Sequence, residues 1–305
     1  MTKEETIKRQ IECEKAGLFD EHIWPPDLSL ALPPDHFRYQ KKGFWRSFSE
    51  LLRRIFIVNP FSWWLNLFYF RTKVYGRKNL RGIKRSIVTC NHCSIFDNLA
   101  IKHALKQKLL FRMFYSLPLL PAVPFINMKR KKVRIVAAPF NNRSDKLGKV
   151  MRAGGMIPMG ANFAAMKNFY NFVEDRLTNK KTLLVIYPEQ ALWWMYEKPR
   201  PFKDGAFKFA AKHNVPILPM FIAFSKRKKL DKEGQPRRKF HVFIMPPIYP
   251  DENKTIDENM LYLKDENYKA CIAKYEEFYG IKLEYLTKDT KIDTDIQADT
   301  PKENI

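Results

Sequence analysis

Two residues five positions apart carry the clearest chemistry in this sequence. His92 follows the run Ile87-Val88-Thr89-Cys90-Asn91, and Asp97 follows Cys93-Ser94-Ile95-Phe96. A carboxylate on one imidazole nitrogen fixes the tautomer and leaves the other nitrogen free to act as a base. Ser94 is placed to cap a helix, with Asp97 at the third helical position. Such a capping box turns the carboxylate back over the loop where the imidazole lies. The same spacing has a purely structural use, since a cap needs Ser94 and Asp97 without any chemistry. Cys90-Asn91-His92-Cys93 is also a C-x-x-C, which can serve as a redox pair or as part of a zinc site. The other cysteines, Cys13 and Cys271, are isolated in the sequence and supply no obvious further ligands. A second carboxylate, Glu189, ends the apolar run Leu183-Leu184-Val185-Ile186-Tyr187-Pro188.

These side chains need rigid supports. The β-branched run before His92 reads as a strand, and Asn98 to Leu105 as a helix. Leu183 to Tyr187 has the pattern of a buried strand. A strand and turn are expected over Val74 to Ile83, and further strands over Val133 to Ala138, Asn214 to Ile222 and Phe240 to Met245. Helices are expected over Arg143 to Met151, Asn162 to Leu177, Gly205 to His213 and 257–279. Ala153 to Gly160 reads as a turn-rich loop, and 226–239 as a basic hairpin loop. Strands alternating with helices imply an α/β fold, with a mixed central sheet flanked by helices. His92 and Glu189 both follow strands, which places them in one crevice beyond the carboxyl ends of the sheet.

The 305 residues allow one large domain and a sizeable core. A formal net charge of +23 favours an anionic partner. Four cysteines in this length argue against a disulfide framework and for a reducing setting. Residues 1–43 are polar and Pro-rich and read as an irregular arm, a tether or a strap, with a short helix near Thr6 to Ala16. Residues 44–73 form an aromatic, basic segment. Asn59-Pro60 is expected to break it into two amphipathic helices lying in a membrane interface without crossing it. The α/β domain covers 74–250, a C-terminal helix 251–280, and a disordered tail 281–305. A Pro-interrupted apolar run at 109–128 ends on Lys129-Arg130-Lys131-Lys132, which suits the boundary between lipid tails and anionic head groups. Nucleic acid is excluded as a partner, because the aromatics sit in apolar helical segments and do not alternate along an exposed strand.

Asn91-His92-Cys93-Ser94-Ile95-Phe96-Asp97 resembles the NHxxxxD motif of the glycerolipid acyltransferases, of the 1-acylglycerol-3-phosphate acyltransferase type. Tyr187-Pro188-Glu189 is similar to that family's Phe-Pro-Glu-Gly-Thr block. Lys203-Asp204-Gly205-Ala206, Val215-Pro216-Ile217-Leu218-Pro219 and Gly155-Met156-Ile157-Pro158 resemble its remaining motifs, over residues 44–245. The resemblance implies acyl transfer from an acyl-CoA or acyl-carrier-protein thioester to a lysoglycerolipid hydroxyl, with no cofactor and no metal. It implies His92 as general base, Asp97 as its orienting partner, and an enzyme on the cytoplasmic face of an anionic membrane. Glu189 is expected to bind acceptor hydroxyls or to orient a basic residue. The family's phosphate-binding arginine is missing at Gly160 and Ala161, and Gln190-Ala191 replaces Gly-Thr. Phosphate recognition is therefore expected from Lys198, Arg200 and Lys203, with Arg143 and Arg152 as alternatives. The rival readings are a peripheral module that binds anionic lipid with a degenerate site, and an acyltransferase acting on a different, uncharged or other, lysolipid.

Overall fold

A computed structural model describes residues 1–24, 28–32, 37, 39, 43–105, 132–231 and 234–290. The apolar run at 109–128, Lys129 to Lys131 and the tail from 291 lie outside the described residues. The strands are β1 (Lys73–Tyr75), β2 (Ser86–Thr89), β3 (Lys132–Ala137), β4 (Met156–Pro158), β5 (Thr182–Ile186), β6 (Ile217–Leu230) and β7 (Pro236–Ile244). Among the described residues they form one seven-stranded sheet in the order β1-β7-β6-β2-β5-β3-β4. The pairs from β6 through β4 are parallel, and β7 runs antiparallel to β6. The sheet is therefore mixed, as expected, and helices cover both faces.

Strand β2 lies between β5 and β6, and all four of its residues are buried. Successive residues of these strands serve opposite faces. Val88, Val185 and Leu218 pack under Leu65, Phe70, Ile101 and Ala104. Ile87, Leu184 and Ile217 pack under Phe169, Val173, Phe207 and Tyr275. Burying each such side chain is worth about 1.5–3 kcal/mol, so β2 is anchored from both sides.

The first helix, α1 (Lys3–Lys15), carries a capping box between Thr2 and Glu5. The arm is a strap. Cys13 and Ile23 pack against Ala191 and Trp193, and the Gln10 amide donates to the Trp194 carbonyl at 3.0 Å.

The expected break at Asn59-Pro60 is absent. Helix α2 (Phe44–Arg53) passes through a π turn (Arg54–Val58) into α3 (Asn59–Trp64) and a second π turn (Leu65–Tyr69). The Asn59 N–H donates to the carbonyl of Arg54, five residues back. This wider turn takes up the missing N–H and ring of Pro60 at the start of α3. Residues 44–69 are thus one continuous rod in place of two helices. No helix among the described residues is long and apolar enough to cross a membrane.

Three other expectations need correction. Met156 to Pro158 is the edge strand β4, not part of a loop, because its backbone completes the ladder of β3. The basic hairpin loop is short, since β6 runs on to Leu230 and β7 begins at Pro236. Residues 281–290 are ordered against the domain: the Leu286 N–H donates to Glu14 at 2.9 Å, and the Tyr285 hydroxyl to the Pro199 carbonyl at 2.5 Å.

The β2 loop is tied to β6 by Asn91. Its amide donates to the Ile222 carbonyl at 2.9 Å and accepts from the Ile222 N–H at 2.8 Å. Asn91→Ala leaves two buried backbone groups unpaired at about 1–3 kcal/mol each. Its urea midpoint should fall by a corresponding amount, and a variant as stable as wild type would show that the tie does not matter.

Candidate active site

The chain leaves β2 at Thr89 and turns through residues 90–96 into α4 (Asp97–Leu105). Asp97 is fully buried beneath this turn. Its Oδ2 accepts from the Cys93 N–H at 2.8 Å, the Ser94 N–H at 2.9 Å and the His92 Nδ1–H at 3.0 Å. The capping box is half made. Asp97 takes the Ser94 N–H, whereas the Ser94 hydroxyl accepts from Phe96 at 3.1 Å and not from Asp97. The carboxylate so held assigns the proton of neutral His92 to Nδ1 and leaves Nε2 as the basic nitrogen. The imidazole keeps 19% of its surface exposed, enough to meet a substrate.

Two residues to which the sequence assigned no role in the site, Tyr187 and Asn98, complete its setting. The Tyr187 ring stacks on the imidazole with centroids 4.0 Å apart and planes 15° from parallel. The Tyr187 hydroxyl donates to Asn98 at 2.7 Å, which fixes the ring. The available signal was an aromatic at the end of β5, beside Pro188-Glu189.

Glu189 reaches the same loop, as its strand-end position suggested, but from behind. Its Oε2 accepts from the His92 backbone N–H at 2.9 Å and from Arg200 Nη2 at 2.8 Å. Its Oε1 accepts from the Arg200 N–H at 2.9 Å. Both oxygens thus accept hydrogen bonds within the protein, and Glu189 orients a basic residue, the second of its two expected roles.

Arg200 is 1% exposed and is likewise corrected from its expected phosphate-binding role. Its guanidinium also donates to the carbonyls of Phe19, His92 and Ala191, and it lies 4.9 Å over the Trp193 ring. The neighbouring cations are engaged by the strap, Lys198 with Glu14 at 2.6 Å and Lys203 with Asp20 at 2.7 Å. Lys203 alone of the three is about half exposed. Arg143 pairs with Asp145, and Arg152 donates to Asn142 and the Arg143 carbonyl.

Gly160 shows why no arginine stands there. A Cβ at this position would lie 2.1 Å from the Met166 backbone nitrogen, so the chain packs directly on the helix Phe163–Thr178.

The C-x-x-C thiols are buried and unbridged. Burial, with the nearby charge of Asp97 second, pushes both Cys90 and Cys93 well above the ordinary thiol range. Both are held as thiols, which opposes nucleophilic use.

The acyltransferase family model matches residues 71–223, which contain His92, Asp97, Tyr187, Glu189 and Arg200. No curated protein matches the chain. Among solved structures, the 1-acyl-sn-glycerophosphate (LPA) acyltransferase PlsC from Thermotoga maritima aligns at 18% identity with a TM-score of 0.48, over 78% of this chain and 83% of that one.

Arg200→Ala should leave the Glu189 charge buried without its partner, at a cost of about 3–5 kcal/mol. Lys203→Ala should cost on the order of 1 kcal/mol or less, as a surface pair does. Chemical denaturation of the two variants separates a structural Arg200 from a substrate-contacting one. An Arg200→Ala protein as stable as wild type would overturn the structural assignment.

Proposed function

This chain belongs to the acyltransferase family, and from that premise we propose that it acylates a lysoglycerolipid, with 1-acylglycerol-3-phosphate as acceptor and phosphatidic acid as product. The observation that carries the proposal is the imidazole of His92, held by the buried Asp97 with Nε2 left open. A thioester is already activated, so the protein needs no nucleophile of its own. It needs a base for a hydroxyl of high pKa. In the proposed step, Nε2 takes the proton as the hydroxyl oxygen bonds to the thioester carbonyl carbon. The C–S bond then breaks, and the leaving thiolate recovers the proton from the imidazolium. Asp97 stabilises that imidazolium while it lasts. The donor is an acyl-CoA or acyl-carrier-protein thioester, and no metal or cofactor takes part.

A membrane-surface location is part of the same reading. Along the rod of residues 44–69, Phe44, Trp45, Phe48, Phe56, Phe61, Trp64 and Phe68 are exposed. Three polar side chains of the rod turn inward: Arg54 donates to the Ala153 carbonyl at 3.0 Å, and Asn66 is buried with Ser62. Aromatics outside and polar groups inside suit an apolar medium against the outer face. The enzyme then works from the cytoplasmic leaflet, where its lipid acceptor lies. Lys203 is the proposed contact for the acceptor phosphate, since its surface pair with Asp20 is cheap to exchange.

Replacing His92 by Ala should lower kcat by roughly 10²–10⁴-fold in a folded protein, the usual worth of a general base. Asp97→Asn should also be strongly impaired, whereas Cys93→Ser should keep substantial turnover. Lys203→Ala should raise KM for 1-acylglycerol-3-phosphate and leave that for an uncharged monoacylglycerol unchanged. The assay is product formation followed by mass spectrometry with both donors. Near-normal turnover in His92→Ala, or a trapped acyl group on Cys93, would reject the mechanism. Preference for the uncharged acceptor would reject the substrate while leaving the chemistry intact.

A further inference from the structure

Strands β6 and β7 run on past the catalytic loop as a two-stranded ribbon. Asn91 meets Ile222, so Lys226 lies four residues farther along β6, roughly 13 Å at strand spacing. There an open pocket of about 460 Å³ is lined by Arg71, Lys226, Arg227, Lys228, Lys229 and Lys239. None of these six lining residues is acidic.

The pocket is built by irregular backbone. Four of its residues are consecutive, and a regular strand would send alternate side chains to opposite faces. The β6–β7 register shifts between Lys226 and Leu230. A bulge of this kind re-aims side chains, and here it accompanies their gathering on one pocket. Arg71 adds a positive φ of 47°, a left-handed conformation that costs a residue other than glycine on the order of 1–3 kcal/mol. Like charges are close enough to disfavour one another: Arg227 is held below its ordinary range by burial first, then by Arg71 and Arg237.

The pocket is also joined to the aromatic rod. Arg227 Nη1 donates to the Tyr69 carbonyl at 2.6 Å and the Phe68 carbonyl at 3.4 Å. Arg237 lies 5.1 Å over the Tyr69 ring, and Arg71 follows the rod directly. The cations therefore begin where the exposed aromatics end. A bilayer presents the same order, with the aromatic interface first and the phosphate layer outside it.

We propose that this pocket binds the headgroup of a membrane lipid carrying more than one phosphate, presented by the bilayer that receives the rod. It rests on the membrane-surface reading above and adds to it a discrete, saturable site. Lysine supplies point charges and arginine a fork, and both complement phosphate oxygens. A headgroup with one negative charge offsets one of the lining cations, whereas a polyphosphorylated ring can meet several, such as Arg71, Lys228 and Lys229, within the same volume. The phosphates of coenzyme A offer the same chemistry from a soluble source, so the test must separate the two.

The experiment measures binding of the full chain to three kinds of vesicle: phosphatidylcholine alone, with phosphatidylserine, and with phosphatidylinositol bisphosphate matched to the second in total charge. Wild type should prefer the bisphosphate vesicles by ~10-fold or more over the serine vesicles, about 1.4 kcal/mol. Inositol hexakisphosphate should compete at concentrations where coenzyme A does not. The exposed double substitution Lys228→Ala, Lys229→Ala should abolish the preference and keep binding to phosphatidylcholine. Equal affinity for the two charged vesicles would overturn the site in favour of diffuse attraction. Competition by coenzyme A equal to that by inositol hexakisphosphate, with a raised acyl-CoA KM in the double variant, would assign the pocket to the donor. Absence of binding to phosphatidylcholine would count against the membrane reading, and direct titration with inositol hexakisphosphate would still decide the pocket.

Discussion

The carboxylate of Asp97 is the interaction on which the site depends. A buried charge is costly unless donors surround it. Here the donors are two backbone N–H groups, an imidazole and the Cys93 thiol, all from residues 92–94. Folding the loop and orienting the base are therefore the same event. The loop closes because the carboxylate needs those N–H groups, and the imidazole is aligned because its Nδ1 completes the set. Charge-assisted bonds of this kind are roughly twice as strong as neutral ones.

A second buried carboxylate fixes the other side of the loop. Glu189 holds the His92 N–H and Arg200 together, while Arg200 reaches the Phe19 carbonyl in the strap. The link from the amino-terminal segment to His92 is thus short and runs through the buried side chains of Arg200 and Glu189. Trp193 belongs to the same unit, packing beneath the guanidinium and donating its indole N–H to the Glu21 carbonyl at 3.0 Å. A loop rich in lysine and arginine owes its charge here to clasping acidic and carbonyl groups of the strap.

The α/β layers and the position of His92 beside Asp97 were legible in the sequence, because strand periodicity and a five-residue spacing are local signals. The meeting of His92 with Glu189 followed from both standing at strand ends. Arg200 was misread because its partners come from 181 residues away and from 11 residues away in a loop without periodicity. Burial, which decides between a ligand-binding and a structural arginine, leaves no mark on residue type. Pro60 was misread as a helix end because local propensity does not register that a π turn can absorb a proline. Strand β4 was hidden by the glycines that flank it, and its existence depends on β3 alongside it. The ordering of 281–290 depends likewise on Glu14 and Pro199, which no local pattern announces.

The central claim is that neutral His92 carries its proton on Nδ1, toward Asp97, and offers Nε2 to the acceptor hydroxyl. Nitrogen-15 chemical shifts of the His92 imidazole, assigned by comparison with His92→Ala, read this tautomer directly. The account predicts a protonated Nδ1 and a bare Nε2 in the neutral ring of wild type, with the preference lost in Asp97→Asn. A neutral ring protonated on Nε2 in wild type would contradict it.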